Sequence, residues 1–265
     1  MKTFGIVNIT EDSFSDGGRY LLAEAAIAHA RELSRDADVI DLGAASSNPD
    51  AKSVPPDVEI ARLAPVVEAL RKDGRPLSID SYVPQVQRWA LAQGADYLND
   101  IQGFPDEALY PELAVSSAKL IVMHSVQERG KATRVDVPPS EILDRVRRFF
   151  DARLAALTKA GIARDRLILD PGMGFFLGSD PETSFTVLRA LAELRREFAL
   201  PVLISVSRKS FLRRAAGVEA ADAGPASLAA ELFAALKGAD FIRTHDPRAL
   251  KGAFAIWKTL SRNEA

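Results

Sequence analysis

Short runs of aliphatic and β-branched residues recur along the chain, and longer segments with helical apolar spacing lie between them. Eight such runs predict β-strands, at residues 3–9, 38–44, 75–80, 97–101, 119–124, 166–172, 201–207 and 240–245. Helical spacing is clearest at residues 24–36, 139–161, 181–198 and 227–239. This alternation predicts an α/β fold, a closed (β/α)8 TIM barrel, with an open doubly wound sheet as the alternative.

The connections between the predicted elements differ in length. Four helix-to-strand connections are short and rich in small residues, whereas the longest loops follow the first, second, fifth and sixth strands. A barrel enzyme carries its active site on the loops at the carboxyl ends of its strands. The asymmetry therefore predicts a functional site at that end.

Composition narrows the classes of protein that fit this pattern. A chain of 265 residues is about the length of one barrel, so we expect a single domain over residues 1–265. Its 34 basic and 36 acidic residues nearly cancel, which gives no reason to expect nucleic acid or an anionic membrane as a partner. The absence of cysteine excludes disulfides and thiolate metal sites. No apolar run approaches a membrane span and no signal-like segment is evident, so a cytoplasmic protein is expected.

Polar residues stand at the carboxyl end of almost every predicted strand. Inside a barrel such groups are desolvated, which is costly unless they bind each other or a ligand. As a set they predict a ligand site, although His124 fits a pocket or the core equally well. They are Asn8, Asp41, Asp80, Asn99, Asp100, His124, Asp170, Ser205, Ser207, Arg243 and His245.

Two parts of this set favour anions. Arg243 and His245 are two residues apart on a strand and point to the same side, in the region where barrels commonly bind phosphate. Asn8 and the loop at 10–18 would complete this site from the first strand; a surface pair between Arg243 and Asp246 is the alternative.

The segment 207–210, Ser-Arg-Lys-Ser, precedes a predicted helix whose free N–H groups favour a carboxylate or a phosphate. Lys209 in this segment fits a Schiff-base nucleophile, as in aldolases, or a hydrogen-bonding cation, and the sequence does not separate the two.

A third part of the set favours a flat heterocycle. Asp80, Asn99 and Asp170 end three different strands. A carboxylate accepts hydrogen bonds and an amide both accepts and donates, which suits a ring system that bears amino and lactam groups.

Seven motifs now stand in order along the chain: GIVNITEDSFSDGG, IDSY, YLNDI, VMH, LDPGMGF, SRKSF and IRTHD. In this order the chain resembles the dihydropteroate synthase family over essentially its whole length. The resemblance implies a pterin-binding barrel that condenses 6-hydroxymethyl-7,8-dihydropterin diphosphate with p-aminobenzoate, giving 7,8-dihydropteroate and pyrophosphate with Mg²⁺ by an SN1-like substitution. It also implies a homodimer through late helices.

The resemblance also assigns roles to residues. The pterin would be bound by Asp80, Asn99, Met123, Asp170 and Lys209. The diphosphate would be bound by Asn8, Arg243 and His245, with Asn8 also at the metal. Phe175, Lys209 and Ser210 would border the p-aminobenzoate site. The residues assigned to catalysis are Asp80, Lys209, Arg243 and His245, and Lys209 becomes a ligand and not a nucleophile.

Two departures from the usual family pattern resemble the Sul-type synthases, the mobile, sulfonamide-insensitive branch. Asn48 stands where the usual synthases have an arginine, and the sequence after Phe175 runs FLGSDPETS, longer than usual and without the usual lysine. We hypothesise that Phe176 and the lengthened loop admit p-aminobenzoate and exclude the bulkier sulfonamides, which would confer sulfonamide resistance. The alternative is that Phe176 fills the core beneath the loop.

Three other functions fit parts of the pattern. A pterin-binding methyltransferase on the same fold would explain Asp80, Asn99 and Asp170, but it leaves the cationic segments without a diphosphate. Schiff-base aldolase chemistry through Lys209 and a non-catalytic binding scaffold are the others.

Overall fold

The computed structural model describes residues 1–10, 19–127 and 130–261, with side chains from residue 22 onward in the first helix. Eight parallel strands form its sheet. They are β1 (Lys2–Asn8), β2 (Val39–Gly43), β3 (Leu77–Asp80), β4 (Tyr97–Asp100), β5 (Lys119–Met123), β6 (Leu167–Asp170), β7 (Leu203–Ile204) and β8 (Phe241–Thr244). All eight predicted strands are thus confirmed.

The helices that surround the sheet lie between successive strands and after the last one. They are α1 (Arg19–Leu33), α2 (Pro56–Lys72), α3 (Pro84–Ala92), α4 (Tyr110–Val115), α5 (Ile142–Lys159), α6 (Pro181–Arg189), α7 (Leu191–Phe198), α8 (Ser210–Ala216), α9 (Gly224–Leu236) and α10 (Pro247–Leu260). The segment 181–198, predicted as one helix, is two helices that meet at Ala190. Within the described ranges, no helix is long and apolar enough to cross a membrane.

The sheet closes into a barrel. Its strand order is β6-β5-β4-β3-β2-β1-β8-β7, and a parallel bridge between Leu169 and Val202 joins the two ends. At this seam the Leu169 N–H donates to the Pro201 carbonyl at 2.9 Å. β7 covers only Leu203–Ile204 and is shorter than the predicted 201–207. The (β/α)8 barrel is confirmed, and the open sheet is not observed.

The barrel interior is layered. Side chains two residues apart on a strand share a face, so each strand contributes to successive interior layers. The layer nearest the amino ends is an apolar cluster of Phe4, Val39, Tyr97, Ile121, Ile168, Leu203 and Phe241. Two residues further along, the same strands carry Ile6, Asp41, Asn99, Met123, Asp170, Ser205 and Arg243, of which only Ile6 and Met123 are apolar. The period of the strands therefore places the polar residues together on top of an apolar floor.

Candidate active site

The heterocycle set predicted from the sequence lines one narrow pocket at the carboxyl ends of the strands. Asp80, Asn99, Met123, Asp170 and Lys209 all contribute to its wall. Strand register explains why, because Asp80 pairs with Asn99 and Met123 pairs with Asp170 on neighbouring strands. Met123 supplies an apolar surface and packs in a cluster with Ile101, Ala132 and Phe176.

The hydrogen-bonding groups of this pocket are only partly used by the protein. The Oδ1 atom of Asn99 is buried and has no partner within the described residues. Asp170 receives the Gly172 N–H on Oδ1 at 2.8 Å, which leaves its other oxygen for a ligand. A buried acceptor without a partner costs roughly 1–3 kcal/mol, so a ligand that donates to it gains affinity.

Burial shifts the ionisation of these groups. Burial raises the pKa of Asp170 to about 6, with Gly172 and Lys209 opposing the shift. Burial also lowers the pKa of Lys209 to about 8, and the charge of Arg243 adds to this effect. Near neutral pH the pocket therefore combines a carboxylate and an ammonium group, and burial disfavours the charged form of each.

Arg243 is held by two carboxylates. Its Nε donates to Asp41 at 2.6 Å and its Nη2 donates to Asp80 at 2.6 Å. Burial lowers the pKa of Arg243, but the charges of Asp41 and Asp80 outweigh it, so the guanidinium stays charged. Asp246 instead caps α10 by accepting the Ala249 N–H, so the alternative surface pair between Arg243 and Asp246 is not observed.

Arg243 and Lys209 also line a second, wider cleft of about 390 Å³ beside the heterocycle pocket. Its other polar residues favour an anion. They are Asn8, Thr10, Ser46, Ser47, Asn48, Ser205, Ser207, Arg208 and His245, and the carboxylate of Asp80 lines the cleft as well, paired with Arg243. The predicted anion residues Asn8, Arg243 and His245 thus lie together, while the part of the loop at 11–18 lies outside the described residues.

His245 is neutral in this setting. Burial lowers the pKa of His245 to about 3, and the charges of Arg208 and Arg243 add to the shift. Its Nδ1 lies 3.0 Å from Ser207 Oγ. The imidazole is therefore held in place on one side by a serine hydroxyl.

The residues in the cleft fit a magnesium ion that arrives with a phosphate ligand. Mg²⁺ prefers oxygen ligands and usually keeps several waters, with few groups from the protein and others from substrate phosphates. Asn8 offers a side-chain oxygen at the cleft. Within the described residues no cluster of three or more His, Cys, Asp or Glu side chains forms a self-sufficient metal site.

The side chains of the two phenylalanines after β6 lie in different surroundings. Both lie in a short 3₁₀ turn, Gly174–Phe176. Phe176 is 5% exposed, lines the heterocycle pocket, and has the Lys209 ammonium 5.1 Å from its ring centre. Phe175 is half-buried and faces the Arg134 guanidinium at 5.7 Å. Phe176, which the resemblance does not assign to the pterin, is thus the aromatic residue of the pair that lines the heterocycle pocket.

Ser210 is the first residue of α8, as predicted, and is half-buried. It lies next to Lys209 at the rim and lines neither the heterocycle pocket nor the anion cleft.

Two loops meet above the anion cleft. Ala132 N–H in the loop after β5 donates to Ser47 O at 3.2 Å, and Lys131 Nζ donates to Ala51 O in the loop after β2. Arg134 and Asp50 form an ion pair of 2.6 Å between the same loops. Asn48 lies within the anion cleft, so these cations stand near the position where the usual pattern has an arginine.

Other polar groups around the site were not assigned a role from the sequence. His124 is 3% exposed and shares a hydrogen bond with the Pro171 carbonyl at 3.1 Å, which places it in the core beside the pocket. Asp41 has a role that its position at a strand end did not reveal, as a partner of Arg243. Glu59 and Glu231 are buried on α2 and α9, where a helical pattern gave no signal that they face inward.

Comparisons with known proteins agree with this arrangement. Residues 4–245 match the family model described as pterin binding enzyme. The chain is 64% identical over 258 residues to the type-2 dihydropteroate synthase of Escherichia coli, covering 97% of this chain and 95% of the relative. It is 53% identical over 260 residues to the type-3 enzyme of Escherichia coli, covering 98% and 99%.

Solved structures give the same result. The dihydropteroate synthase of Xanthomonas albilineans with 4-aminobenzoic acid superposes with a TM-score of 0.89 at 35% identity, covering 98% of this chain and 93% of that chain. The same enzyme in complex with 7,8-dihydropteroate superposes with a TM-score of 0.85 at 34% identity, covering 98% and 94%. The predicted family is confirmed by sequence and by fold.

Proposed function

Because the chain belongs to the dihydropteroate synthases, a family of pterin-binding enzymes, we propose that it joins 6-hydroxymethyl-7,8-dihydropterin diphosphate to p-aminobenzoate. The products are 7,8-dihydropteroate and pyrophosphate. The acting unit is the single barrel of residues 1–265, and the reaction proceeds in the presence of sulfonamides.

The observation that carries this proposal is that the two pockets are joined. Asp80, Ser205, Lys209 and Arg243 line both the heterocycle pocket and the anion cleft. A pterin ring in the first pocket therefore extends its methylene–oxygen bond toward phosphate groups in the second. The bond that breaks lies at the junction, between carboxylates on one side and cations on the other.

The charges at the junction support cleavage with SN1-like character. As the carbon–oxygen bond breaks, the diphosphate keeps the electron pair and the pterin methylene becomes cationic. Arg243 and Lys209 stabilise the departing anion, and Asp80 and Asp170 stabilise the cation. The neutral amine of p-aminobenzoate then attacks the methylene carbon and loses a proton, so no strong protein base is required.

Asp80 is oriented for this role by its ion pair with Arg243. Burial raises the pKa of Asp80 to about 7, and the charge of Arg243, which favours the ionised form, opposes that rise. Lys209 contributes as a cationic ligand. No Schiff base is needed, because the substrates bring no ketone or aldehyde to the site.

Magnesium belongs to the proposal as the companion of the diphosphate. When bound there, it supplies a further positive charge to the leaving group. Asn8 would hold it, since its side-chain oxygen lies in the anion cleft. Arg243 and His245 would hold the remaining phosphate oxygens.

Sulfonamide insensitivity is proposed to come from the loop after β6. The backbone N–H of Gly174 donates to Ser184 Oγ, Val126 N–H donates to Phe176 O, and Gln127 Nε2 donates to Phe175 O. These bonds support a fixed position for both aromatic rings. A fixed wall tolerates the planar carboxylate of p-aminobenzoate better than a tetrahedral sulfonyl group that bears a substituent.

The alternative for Phe176, a side chain that fills the core, has support as well. Phe176 is nearly buried among Met123, Ile101 and Ala132. The variant Phe176→Gly combined with a shortened loop separates the two. If the ring selects against the drug, sulfamethoxazole inhibition increases strongly while turnover with p-aminobenzoate remains; a discrimination of roughly 3 kcal/mol corresponds to more than a hundredfold. Unchanged inhibition would show that Phe176 fills the core and does not select against the drug.

A homodimer through the late helices completes the proposal. The large apolar residues Phe233, Leu236, Ile256, Trp257 and Leu260 are exposed on α9 and α10. These two helices pack against each other, so their exposed residues form a common outer surface.

The reaction itself is tested by pyrophosphate release. The purified protein with Mg²⁺ and both substrates should release pyrophosphate in step with dihydropteroate formation, and omission of p-aminobenzoate should stop sustained release. A methyltransferase on this fold would release no pyrophosphate under these conditions.

A further inference from the structure

A fully buried carboxylate, Asp41 on β2, lies next to the site and lines neither the heterocycle pocket nor the anion cleft. Its Oδ2 accepts the Arg243 Nε–H at 2.6 Å, and its Oδ1 has no hydrogen-bond partner within the described residues. Apolar residues of similar volume often replace a buried ion pair without loss of stability, so stability alone does not explain a carboxylate here. Since Asp41 reaches neither pocket, its effect on a ligand has to pass through Arg243.

The two carboxylates that hold Arg243 occupy one edge of its guanidinium. Nε donates to Asp41 and Nη2 donates to Asp80. A guanidinium has five N–H groups, one on Nε and two on each Nη. Among the described residues two of the five are used, which leaves the Nη1 pair and one N–H of Nη2. These form the fork that binds phosphate oxygens in pairs, and Arg243 lines the anion cleft.

Asp41 and Asp80 differ in their access to a ligand. Asp80 lines both pockets and its side chain is 22% exposed, whereas the side chain of Asp41 is 0% exposed. A ligand can therefore compete with Arg243 for Asp80 but not for Asp41. In the proposed reaction Asp80 acts on the nascent pterin cation, so its bond with Arg243 is the one that changes. Asp41 is the partner that Arg243 keeps.

The strand order explains why this support comes from β2. β1 lies between β2 and β8 in the sheet, with Phe4 paired to Arg243 and Ile6 paired to Asp41. Neither Phe4 nor Ile6 has a side-chain group that can accept a hydrogen bond. Arg243 therefore extends past β1 to a carboxylate on the next strand, and that carboxylate determines where the guanidinium lies.

We propose that Asp41 is a positioning residue of the anion cleft, which holds Arg243 at Nε and thereby keeps the Nη1–Nη2 fork on the diphosphate while Asp80 acts on the pterin. The inference rests on the proposed function for the identity of the ligand. Arg243 contacts the leaving group, and Asp41 acts only through Arg243. The two carboxylates of Arg243 thus have separate tasks, one of support and one of chemistry.

Binding of inorganic pyrophosphate with Mg²⁺, measured by calorimetry, tests this without turnover. Asp41→Asn removes a negative charge beside Arg243, which by itself would strengthen the binding of an anion. It also replaces a charge-assisted hydrogen bond at Nε by a weaker one. If orientation decides, the variant should bind pyrophosphate about tenfold more weakly in spite of the gain in positive charge. Asp73→Asn, which breaks an exposed pair with Arg31, should bind it as the wild-type protein does.

A double-mutant cycle shows whether Asp41 acts through Arg243. Asp41→Asn should lower kcat/KM for the pterin diphosphate about tenfold and leave the KM for p-aminobenzoate unchanged. Arg243→Lys keeps the positive charge but has no fork to orient. In that background Asp41→Asn should therefore cause no further loss. A crystal structure of the wild-type protein with pyrophosphate needs no variant, and it should show Nε still on Asp41 and the fork on phosphate oxygens.

The inference is overturned if Asp41→Asn binds pyrophosphate as tightly as the wild-type protein or more tightly, if the losses of Asp41→Asn and Arg243→Lys multiply, or if the bound anion draws Nε away from Asp41. A protein that binds pyrophosphate as described but forms no dihydropteroate would contradict the proposed function and not this inference.

Discussion

Lys209 lies where the heterocycle pocket meets the anion cleft, and it lines both. It directly precedes α8, has a neighbouring carboxylate in Asp170, and places its ammonium over the Phe176 ring. Burial makes this charge costly to keep. A lysine with a pKa near 8 is charged at neutral pH and loses its charge within a readily measured range.

The first prediction concerns pH. In the proposed reaction Lys209 binds as a cation, so kcat/KM for the pterin diphosphate should fall as the pH rises through about 8, where the charge is lost. Lys209→Met should lower the rate at neutral pH and remove this alkaline decline. A wild-type profile that stays flat through this range would contradict the role of Lys209 as a charged ligand.

The second prediction concerns Asp170, the carboxylate proposed to bind the pterin. Asp170→Asn replaces an acceptor-only group by an amide that also donates, which leaves a pterin N–H poorly matched. The value of kcat/KM for the pterin diphosphate should fall about a hundredfold, with little change in the KM for p-aminobenzoate. Asp151→Asn on the exposed side of α5 is the matched control. Equal effects of the two variants would contradict the proposed binding of the pterin by Asp170.

For single residues, the sequence predicted which residues form the site better than it predicted which residues they contact. Asp80, Asn99, Asp170, Lys209, Arg243 and His245 end strands or follow them, and parallel strands bring such positions together. The pairing of Arg243 with Asp41 joins residues on strands far apart in the chain, and no local pattern indicates it. Glu231 was missed because one acidic residue on a helix normally faces solvent.

The loop after β6 shows how neighbouring elements set the position of single side chains. Gly174 has a left-handed φ of 67° and donates its N–H to Ser184 on α6. The side chain of Asp180 accepts the Glu182 N–H at 2.9 Å and so caps the start of that helix. The turn that carries Phe175 and Phe176 is thus anchored to α6.

The third prediction tests this anchor. Ser184 is fully buried, so Ser184→Ala leaves the Gly174 N–H without a partner and should lower the free energy of unfolding by about 1–3 kcal/mol. If a fixed loop excludes sulfonamides, the same variant should also become more sensitive to sulfamethoxazole. Urea denaturation and inhibition assays measure the two effects. Thr186→Ala on the same helix serves as the control, and a destabilised variant with unchanged drug response would separate the anchor from selectivity.

Elements were predicted more reliably than their boundaries. The eight strands stand out because both of their faces are buried, which gives short apolar runs between turn residues. The interruption at Ala190 and the short β7 depend on contacts with other parts of the barrel, so the local pattern did not reveal them.

On the scale of the whole molecule, the apolar surface of α9 and α10 is the feature that the barrel alone does not explain. Ile256 and Leu260 are 64% and 72% exposed, on one helix four residues apart. Phe254 and Trp257 stack beside them at 5.9 Å. Clustered exposed apolar residues mark interaction sites more often than isolated ones.

The fourth prediction follows from the proposed dimer. Leu260→Glu should place a charge in the interface and shift the protein from dimer to monomer, as light scattering with size-exclusion chromatography would show. Val115→Glu, which is at an 89% exposed position on α4, should leave the dimer intact. A wild-type protein that is monomeric at micromolar concentration would contradict the proposal.

The proposed reaction and the proposed drug selectivity are tested most directly by one product assay, run with and without a sulfonamide. The purified protein, with Mg²⁺, the pterin diphosphate and p-aminobenzoate, should form 7,8-dihydropteroate and pyrophosphate in equal amounts, and sulfamethoxazole at concentrations that stop a sulfonamide-sensitive synthase should leave the rate nearly unchanged. Absence of dihydropteroate would contradict the proposed reaction, and equally strong inhibition of both enzymes would contradict the proposed selectivity.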